Sequence, residues 1–311
     1  MHHMSLDLTQ MKIAVLMGGP GSERKVSLAT GAGVAGALRK QGAEVTEVDV
    51  TDANFALPAG VELAFNAIHG TFGEDGQVQR ALEARGVKYT GEGVAGSELA
   101  IDKIASKQRF VERGVPTPAF EILGSNARPT LKVPYVIKAP REGSSVGVYI
   151  VRTADEVDSS LAEARKHAQE LLVEQFIEGR ELTVGIVGDD ALPVIEIVAK
   201  KDFYNIENKY PFLNPNAPGA DHFCPAEIGE RATKLVQQTA LAAHRALELE
   251  VYSRVDVLFT KAGVPFVLEV NTIPGMTPSS LLPEAALVAG QSYEQLCARI
   301  IELSLDRQSV R

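Results

Sequence analysis

With 311 residues, 45% of them hydrophobic and 23% charged, the chain has the length for two or three packed domains and an ordinary soluble composition. A formal net charge of −9 argues against a nucleic-acid scaffold with a broad basic face, while leaving room for local basic patches that hold small phosphates. Cys224 and Cys297 are too few and too far apart for a disulfide framework or a zinc knuckle. No stretch reads as a signal peptide or a membrane span, so a cytoplasmic protein with reduced thiols is expected.

Residues 1–10, MHHMSLDLTQ, read as a disordered start or an expression remnant, and His2 and His3 are set aside as metal ligands. Lys12 to Met17 is a short buried strand leading into GGPGSERKVS; a helix follows from Lys25 to about Lys40, stopped by Gly42, and Val45 to Val50 is the next strand. This order is half of a doubly wound sheet, in which loops at strand C-termini bind ligands. A dinucleotide fingerprint fails here, because Gly19 and Gly21 supply the first pair of glycines but Arg24 occupies the third place. Glu23, at the start of the helix, either caps it or binds a substrate ammonium group. A strand from Leu63 to Ile68 ends in HGTFGEDG, where His69, three glycines, Glu74 and Asp75 share one loop.

In the middle of the chain, ELAIDKIASKQRFVERG reads as one amphipathic helix closed by Gly114 and Pro116, a natural domain boundary. The strand Val133 to Lys138 enters APREGSSVGVYIVR. This glycine loop joins strand to strand, so it is neither a P-loop nor a Rossmann turn. It is either an ordinary hairpin turn or a phosphate cradle, in which Gly143, Ser144, Ser145 and Gly147 present N–H groups and hydroxyls beside Lys138. Leu171 to Ile177 is an apolar strand interrupted by Glu174, with Glu181 shortly beyond. Such a strand suits an adenosine, with apolar faces for the base and isolated acceptors for its polar edges.

Val184 to Val198 supplies two short strands, and the long polar, aromatic-bearing loop after them reads as a lid with Lys209 and Tyr210 near its middle. A helix from Ile228 to Glu248 carries an Ala/Leu stripe, with His244 in a structural or exposed role. The stretch from Tyr252 to Asn271 is a β-hairpin. Centring its turn on Ala262-Gly263 sets Asp256 opposite Glu269 and Arg254 opposite Asn271, with Val267, Glu269 and Asn271 on one face. Directly opposed carboxylates repel. A hard divalent cation removes the repulsion, and Asp, Glu and an Asn amide oxygen are ligands it accepts. The competing reading is a solvated charged face, but these acids lie in otherwise apolar strands that run into the turn-rich NTIPGMTPSSL. A final helix runs from Ser292 to about Leu305.

GGPGSERKVS, HGTFGEDG, KAPREGSSVG, ENKY and the RVDV…LEVNTIPGMTPSSL block, in this order, resemble the ATP-grasp superfamily and, within it, the D-alanine–D-alanine ligases. The likeness covers nearly the whole chain after residue 10. It implies an α/β fold of three domains: a Rossmann-like N-terminal domain over 11–100, a central ATP-grasp subdomain over 101–183, and a C-terminal catalytic domain over 184–311 with a lid at 202–222. ATP is then clamped between antiparallel sheets. The implied reaction joins two D-alanines for peptidoglycan synthesis, releasing ADP and phosphate, in a cytoplasmic homodimer without nucleic-acid or membrane partners.

The resemblance also implies roles. Asp256, Glu269 and Asn271 hold two Mg²⁺ or Mn²⁺ ions. Lys103, Lys138, Ser144, Ser145 and Lys209 bind ATP, and Glu174, Ile177 and Glu181 line the adenosine pocket. Arg254 and the Gly275 N–H stabilise the oxyanion, donors worth roughly 3–4 kcal/mol each. Glu23 receives the first substrate's ammonium group beside His69, Ser144 and Tyr210 bond with Glu23 and latch the lid, and Ser280 and Leu281 hold the second carboxylate. Tyr210 resembles the dipeptide ligases, while Pro20-Gly21 and Phe72 depart from the family pattern and leave substrate tuning open. The alternatives are a ligase making D-alanyl-D-lactate or D-alanyl-D-serine, and a non-catalytic nucleotide-binding regulatory module.

Overall fold

Parallel strands are covered on both faces and so read as continuous apolar runs; Lys12–Gly18 (β1) is such a strand, buried at every residue after Lys12. The computed structural model describes residues 6–143, 146–200 and 219–309. β1 pairs in parallel with Glu44–Val50 (β2) and Leu63–Asn66 (β3), and Lys88–Tyr89 (β4) completes the order β2-β1-β3-β4. Alternate residues serve opposite faces. Val15, Met17 and Phe65 pack with Val34 and Leu38 of the crossover helix Arg24–Lys40 (α1), whereas Ala14, Leu16 and Ala64 pack with Val78 and Leu82 of Gln77–Glu83 (α2). Two expectations change here. Leu8 is buried in the first of these cores, so the chain is packed before residue 10. And β3 stops at Asn66, because its side chain accepts from Ile68 N–H (3.1 Å) and donates to Gly73 O (3.0 Å), folding residues 68–73 out of the sheet.

The single helix expected after Gly96 is two, Val94–Ile101 (α3) and Lys103–Glu112 (α4). Asp102 between them is extended, and its carboxylate accepts from the N–H groups of Ile104 and Ala105. An aspartate cap outcompetes continuation of the helix, and it starts α4 at Lys103.

The second sheet is antiparallel, in the order β5-β8-β6-β7: Phe120–Leu123 (β5), Tyr135–Lys138 (β6), Val148–Val151 (β7) and Leu171–Gln175 (β8). Tyr135, Ile137, Val151 and Val173 form its own core with Val157–Ala164 (α5). The third sheet is also antiparallel, in the order β12-β11-β9-β13-β14: Arg180–Val187 (β9), Ile195–Ala199 (β11), Ala220–Phe223 (β12), Tyr252–Phe259 (β13) and Pro265–Asn271 (β14), with Asp190–Ala191 (β10) on β9. Helix Glu230–Ala246 (α6) covers one face through Val236, Ala240 and Ala243, and its His244 is buried against the Ser253 hydroxyl, a structural role. Leu281–Val288 (α7) and Tyr293–Ser309 (α8) close the chain.

The first and third sheets share a core. Val187, Ile195, Leu282 and Ile300 join the residues on one face of β1. A buried carboxylate pins the same junction: Glu92 accepts from the N–H groups of Glu250 (2.9 Å), Val251 (2.8 Å) and Tyr252 (3.1 Å) at the start of β13. Among the described residues no helix is long and apolar enough to cross a membrane.

Replacing Glu92 by alanine strands three N–H donors at this junction. Two of them, at Val251 and Tyr252, are buried, and at about 1–3 kcal/mol for each buried donor left unpaired Glu92→Ala is expected to cost about 2 kcal/mol or more, with Glu92→Gln falling between it and the parent. Urea unfolding midpoints check the order.

Candidate active site

The hairpin of β13 and β14 pairs Phe259 with Pro265 and Val257 with Val267, a register centred on Ala262. Beyond Val257 the register shifts, and Asp256 faces Glu269 while Arg254 faces Asn271. The opposition of the acids therefore agrees with the sequence reading, but by a different route. Leu268 is an extra residue in β14, a bulge that sets two residues against one. Val267 turns into the core beside Val257 instead of sharing the face of Glu269, while Leu268 and Glu269 both reach the cleft.

Each acid is attended by a cation of the chain. Arg254 grips Asp256 through two nitrogens (2.9 and 2.8 Å), and the Thr183 hydroxyl donates to the same carboxylate at 2.6 Å. Lys103 lies 3.3 Å from Glu269 and donates to Glu142 O at 2.7 Å. Asn271 Nδ2 donates to Asp256 Oδ2 at 3.4 Å, so the amide must turn over to offer its oxygen to a cation. Two opposed carboxylates and a neighbouring amide form a hard oxygen donor set, which fits Mg²⁺ or Mn²⁺ completed by waters and phosphate oxygens. Among the described residues no three His, Cys, Asp or Glu side chains are placed to hold a metal ion together, so this set depends on Asn271 as its third member.

A cavity of about 430 Å³ lies between the second and third sheets, in the size range of small-molecule pockets. Val136, Val148 and Ile150 face it from one side, and Leu258 and Leu268 from the other. Lys103, Lys138, Glu174, Ile177 and Glu181 all line it. Glu181 belongs to β9 rather than to a segment after a strand. Glu174 is buried, and its two oxygens are held by Lys138 and by Lys107 at 2.5 Å. Burial raises its pKa, but the two lysines outweigh that and hold it below the ordinary value. Arg152 stacks 5.2 Å from the Phe176 ring at the rim.

A smaller cavity, about 60 Å³, adjoins the first and shares Lys103, Glu142 and Glu269 with it. Glu23, His69, Glu74, Arg254, Asn271 and Gly275 complete most of its wall. Glu23 stands at the start of α1, yet its side chain makes no capping bond. The carboxylate lies against Gly70, whose φ is +67° and where a Cβ would stand 2.6 Å from Glu23 Oε2. Only glycine accepts both that backbone and that approach.

His69 is buried, with Nδ1 2.8 Å from Ile273 O and Nε2 2.8 Å from the Thr30 hydroxyl. A carbonyl only accepts, so Nδ1 carries the proton and Nε2 accepts from Thr30. Burial, with Arg254's charge adding to it, brings His69 down to about 4, so the ring is neutral at physiological pH. Glu74 accepts from Gly70 N–H at 3.0 Å; burial and then the charge of Glu23 push its carboxyl up to about 8.

Ser280 and Leu281 stand outside this wall. Ser280 N–H donates to Thr277 O at 2.8 Å, its hydroxyl bonds with that of Thr277, and Leu281 begins α7 with its side chain in the core. Ser144, Ser145, Lys209 and Tyr210 lie outside the described residues, as does 202–218 of the expected lid; Ala220 to His222 belong to β12. Two residues of the site were not singled out as site residues from the sequence. Lys107 could have been found as a charge at the apolar Ile104–Phe110 spacing of α4. Glu74 was read only as marking its loop, since the pattern does not place it against Glu23.

Residues 115–302 match the model of the D-ala D-ala ligase C-terminus family. The chain is 44% identical over 292 residues to a D-alanine–D-alanine ligase of Methylacidiphilum infernorum (94% of this chain, 95% of the relative). It is 47% identical over 300 residues to that of Citrifermentans bemidjiense, covering 95% and 97%. In structure it is similar to the Bacillus anthracis D-alanine–D-alanine ligase complexed with ATP, at a TM-score of 0.84 and 34% identity over 97% of this chain and 99% of that one.

Glu74 gives the site a pH signature. Between pH 4.5 and about 8 the unfolded chain releases a proton that the folded carboxyl keeps. Stability therefore falls with rising pH across that window, by up to about 1.4 kcal/mol per unit. Glu74→Gln removes this dependence, so its stability relative to the parent is expected to grow from pH 5 to pH 8 in urea unfolding.

Proposed function

The chain belongs to the D-alanine–D-alanine ligase family, and from that premise we propose that it joins two D-alanines at the expense of ATP, through an acyl phosphate, for peptidoglycan synthesis. The observation that carries the reading is the meeting of two cavities at Lys103 and Glu269: one large and apolar with lysines, the other small and lined by acids and Arg254. The ATP-grasp fold of the relatives supports placing the nucleotide between the second and third sheets. The three sheets support a division into three domains, with the second boundary before β9, which begins at Arg180 in the third sheet, rather than at 183/184.

In this reading the adenosine lies along Val136, Ile150, Ile177 and Leu258, with Glu174 and Glu181 at its polar edges. Lys103 and Lys138 meet the phosphates, joined by Ser144, Ser145 and Lys209. Bound at Asp256, Glu269 and Asn271, two Mg²⁺ or Mn²⁺ ions would neutralise charge on the transferring phosphoryl group.

Glu23 receives the ammonium group of the first D-alanine in the small cavity, and neutral His69 beside it adds no repelling charge. The γ-phosphoryl group passes to that substrate's carboxylate. The free amine of the second D-alanine then attacks the acyl carbon, and the tetrahedral intermediate collapses to release phosphate. Arg254 and the Gly275 N–H meet the oxyanion; Ser280 and Leu281 take the second carboxylate. Ser144 and Tyr210 latch the lid against Glu23. A homodimeric, cytoplasmic enzyme is the form that family membership supports.

Purified protein is expected to release phosphate from ATP only with both D-alanine and Mg²⁺ present, and to form D-alanyl-D-alanine. Turnover without D-alanine dependence overturns the reading, and preferential coupling of D-lactate or D-serine redirects it. Glu269→Gln is expected to lower kcat by about 100-fold or more with an unchanged thermal midpoint. Near-parental turnover in that variant would place the ions elsewhere.

A further inference from the structure

Lys107 has no place in the proposed chemistry, yet it is among the largest fully buried side chains of the protein. Its ammonium group lies 2.5 Å from Glu174 and donates to the Thr117 hydroxyl at 2.7 Å. Thr117 in turn donates to Val267 O at 2.8 Å, and Val267 N–H donates to Pro116 O at 2.8 Å. Val267 immediately precedes the bulge that presents Leu268 and Glu269 to the cleft. On the other side, Glu174 also holds Lys138, which lines the larger cavity where Lys107 does not.

Two lysines thus share one carboxylate. A buried one-to-one pair of Glu174 with Lys138 would cancel the charge of Lys138 as seen from the cleft. With Lys107 present the cluster keeps a net positive charge, and the only one of its cations that lines the cleft is Lys138.

We propose that Lys107 is a positioning residue for nucleotide binding: it shares Glu174 so that Lys138 retains its charge for the phosphates, and it ties that pair to the strand carrying Glu269. The proposal rests on the nucleotide reading of the cleft. It separates phosphate recognition from adenosine recognition, which a purely structural lysine would affect alike.

Calorimetric titration of the full chain with ATP and with adenosine gives the affinity ratio that tests it. In Lys107→Met that ratio is expected to fall about tenfold, with adenosine binding changed less than about twofold. In Lys107→Met/Glu174→Gln, which frees Lys138 from the remaining anion, the ratio is expected to return to within about threefold of the parent. An equal loss of both ligands in Lys107→Met, an unchanged ratio, or no recovery in the double variant overturns the proposal. Should Lys107→Met not fold, Lys107→Gln, which removes the charge and keeps a donor for the Thr117 hydroxyl, decides: a ratio lowered about tenfold supports the charge-sharing role, and an unchanged one overturns it. If the parent binds neither ATP nor adenosine, the nucleotide reading itself fails, an outcome distinct from a parent that binds both while the variants leave the ratio unmoved.

Discussion

Two carboxylates facing each other across one hairpin are the constraint around which the cleft is arranged. Asp256 and Glu269 do not stand bare. Arg254 balances one from its own strand, and Lys103 balances the other from α4. Deeper in, Lys138 and Lys107 divide Glu174 between them. Removing water from an isolated charge costs several kcal/mol, and pairing each of these carboxylates with a cation of the chain avoids much of that cost. The geometry of these pairs depends on two local features of backbone: the Asp102 cap, which starts α4 with Lys103 at its first residue, and the Leu268 bulge, which turns Glu269 outward.

The small cavity owes its definition to a different principle. Much of its wall is drawn from the start of α1, the histidine loop and the 271–275 segment, which are far apart in sequence. His69 is the bolt between them, donating to Ile273 O and accepting from Thr30, whose hydroxyl oxygen in turn lies 3.4 Å from Met276 N–H. Glu92 closes the same junction from behind through three N–H groups. Side chains held this way on packed elements keep their positions to within what chemistry requires. The second sheet, with a core of its own, forms the opposite wall of the larger cavity.

Much of this was legible in the sequence because it is written in local patterns. Acids inside apolar strands, the glycine loops and the strand–helix–strand order each follow from spacing and composition within a few residues. The Asp256–Glu269 opposition is also within reach of spacing: a turn centred on Ala262-Gly263 gives it, whereas the hairpin tip is centred on Ala262 and the bulge supplies the remaining half-residue. What spacing could not show depends on competition or on distant partners. Asp102 looked like one more polar residue on an amphipathic helix until its cap interrupted the helix. Lys107 meets Glu174, and Glu74 meets Glu23, only after the fold brings together segments separated by more than fifty positions. Backbone groups such as the Gly275 N–H are invisible to composition altogether.

The bulge has a consequence for how this hairpin tolerates changes in length. Side-chain direction alternates along a strand, so a one-residue slip exchanges faces. Lys261, Ala262 and Val264 at the tip are exposed, and they lie on the far side of Leu268 from the acids. Added residues there enlarge a solvent loop and leave Asp256 facing Glu269, so the tip can carry a grafted epitope or a labelling peptide. A single residue added between Leu268 and Asn271 instead sends Glu269 or Asn271 toward α6, among the apolar side chains of that core. The permissive and the forbidden points for insertion lie within one seven-residue strand and its turn.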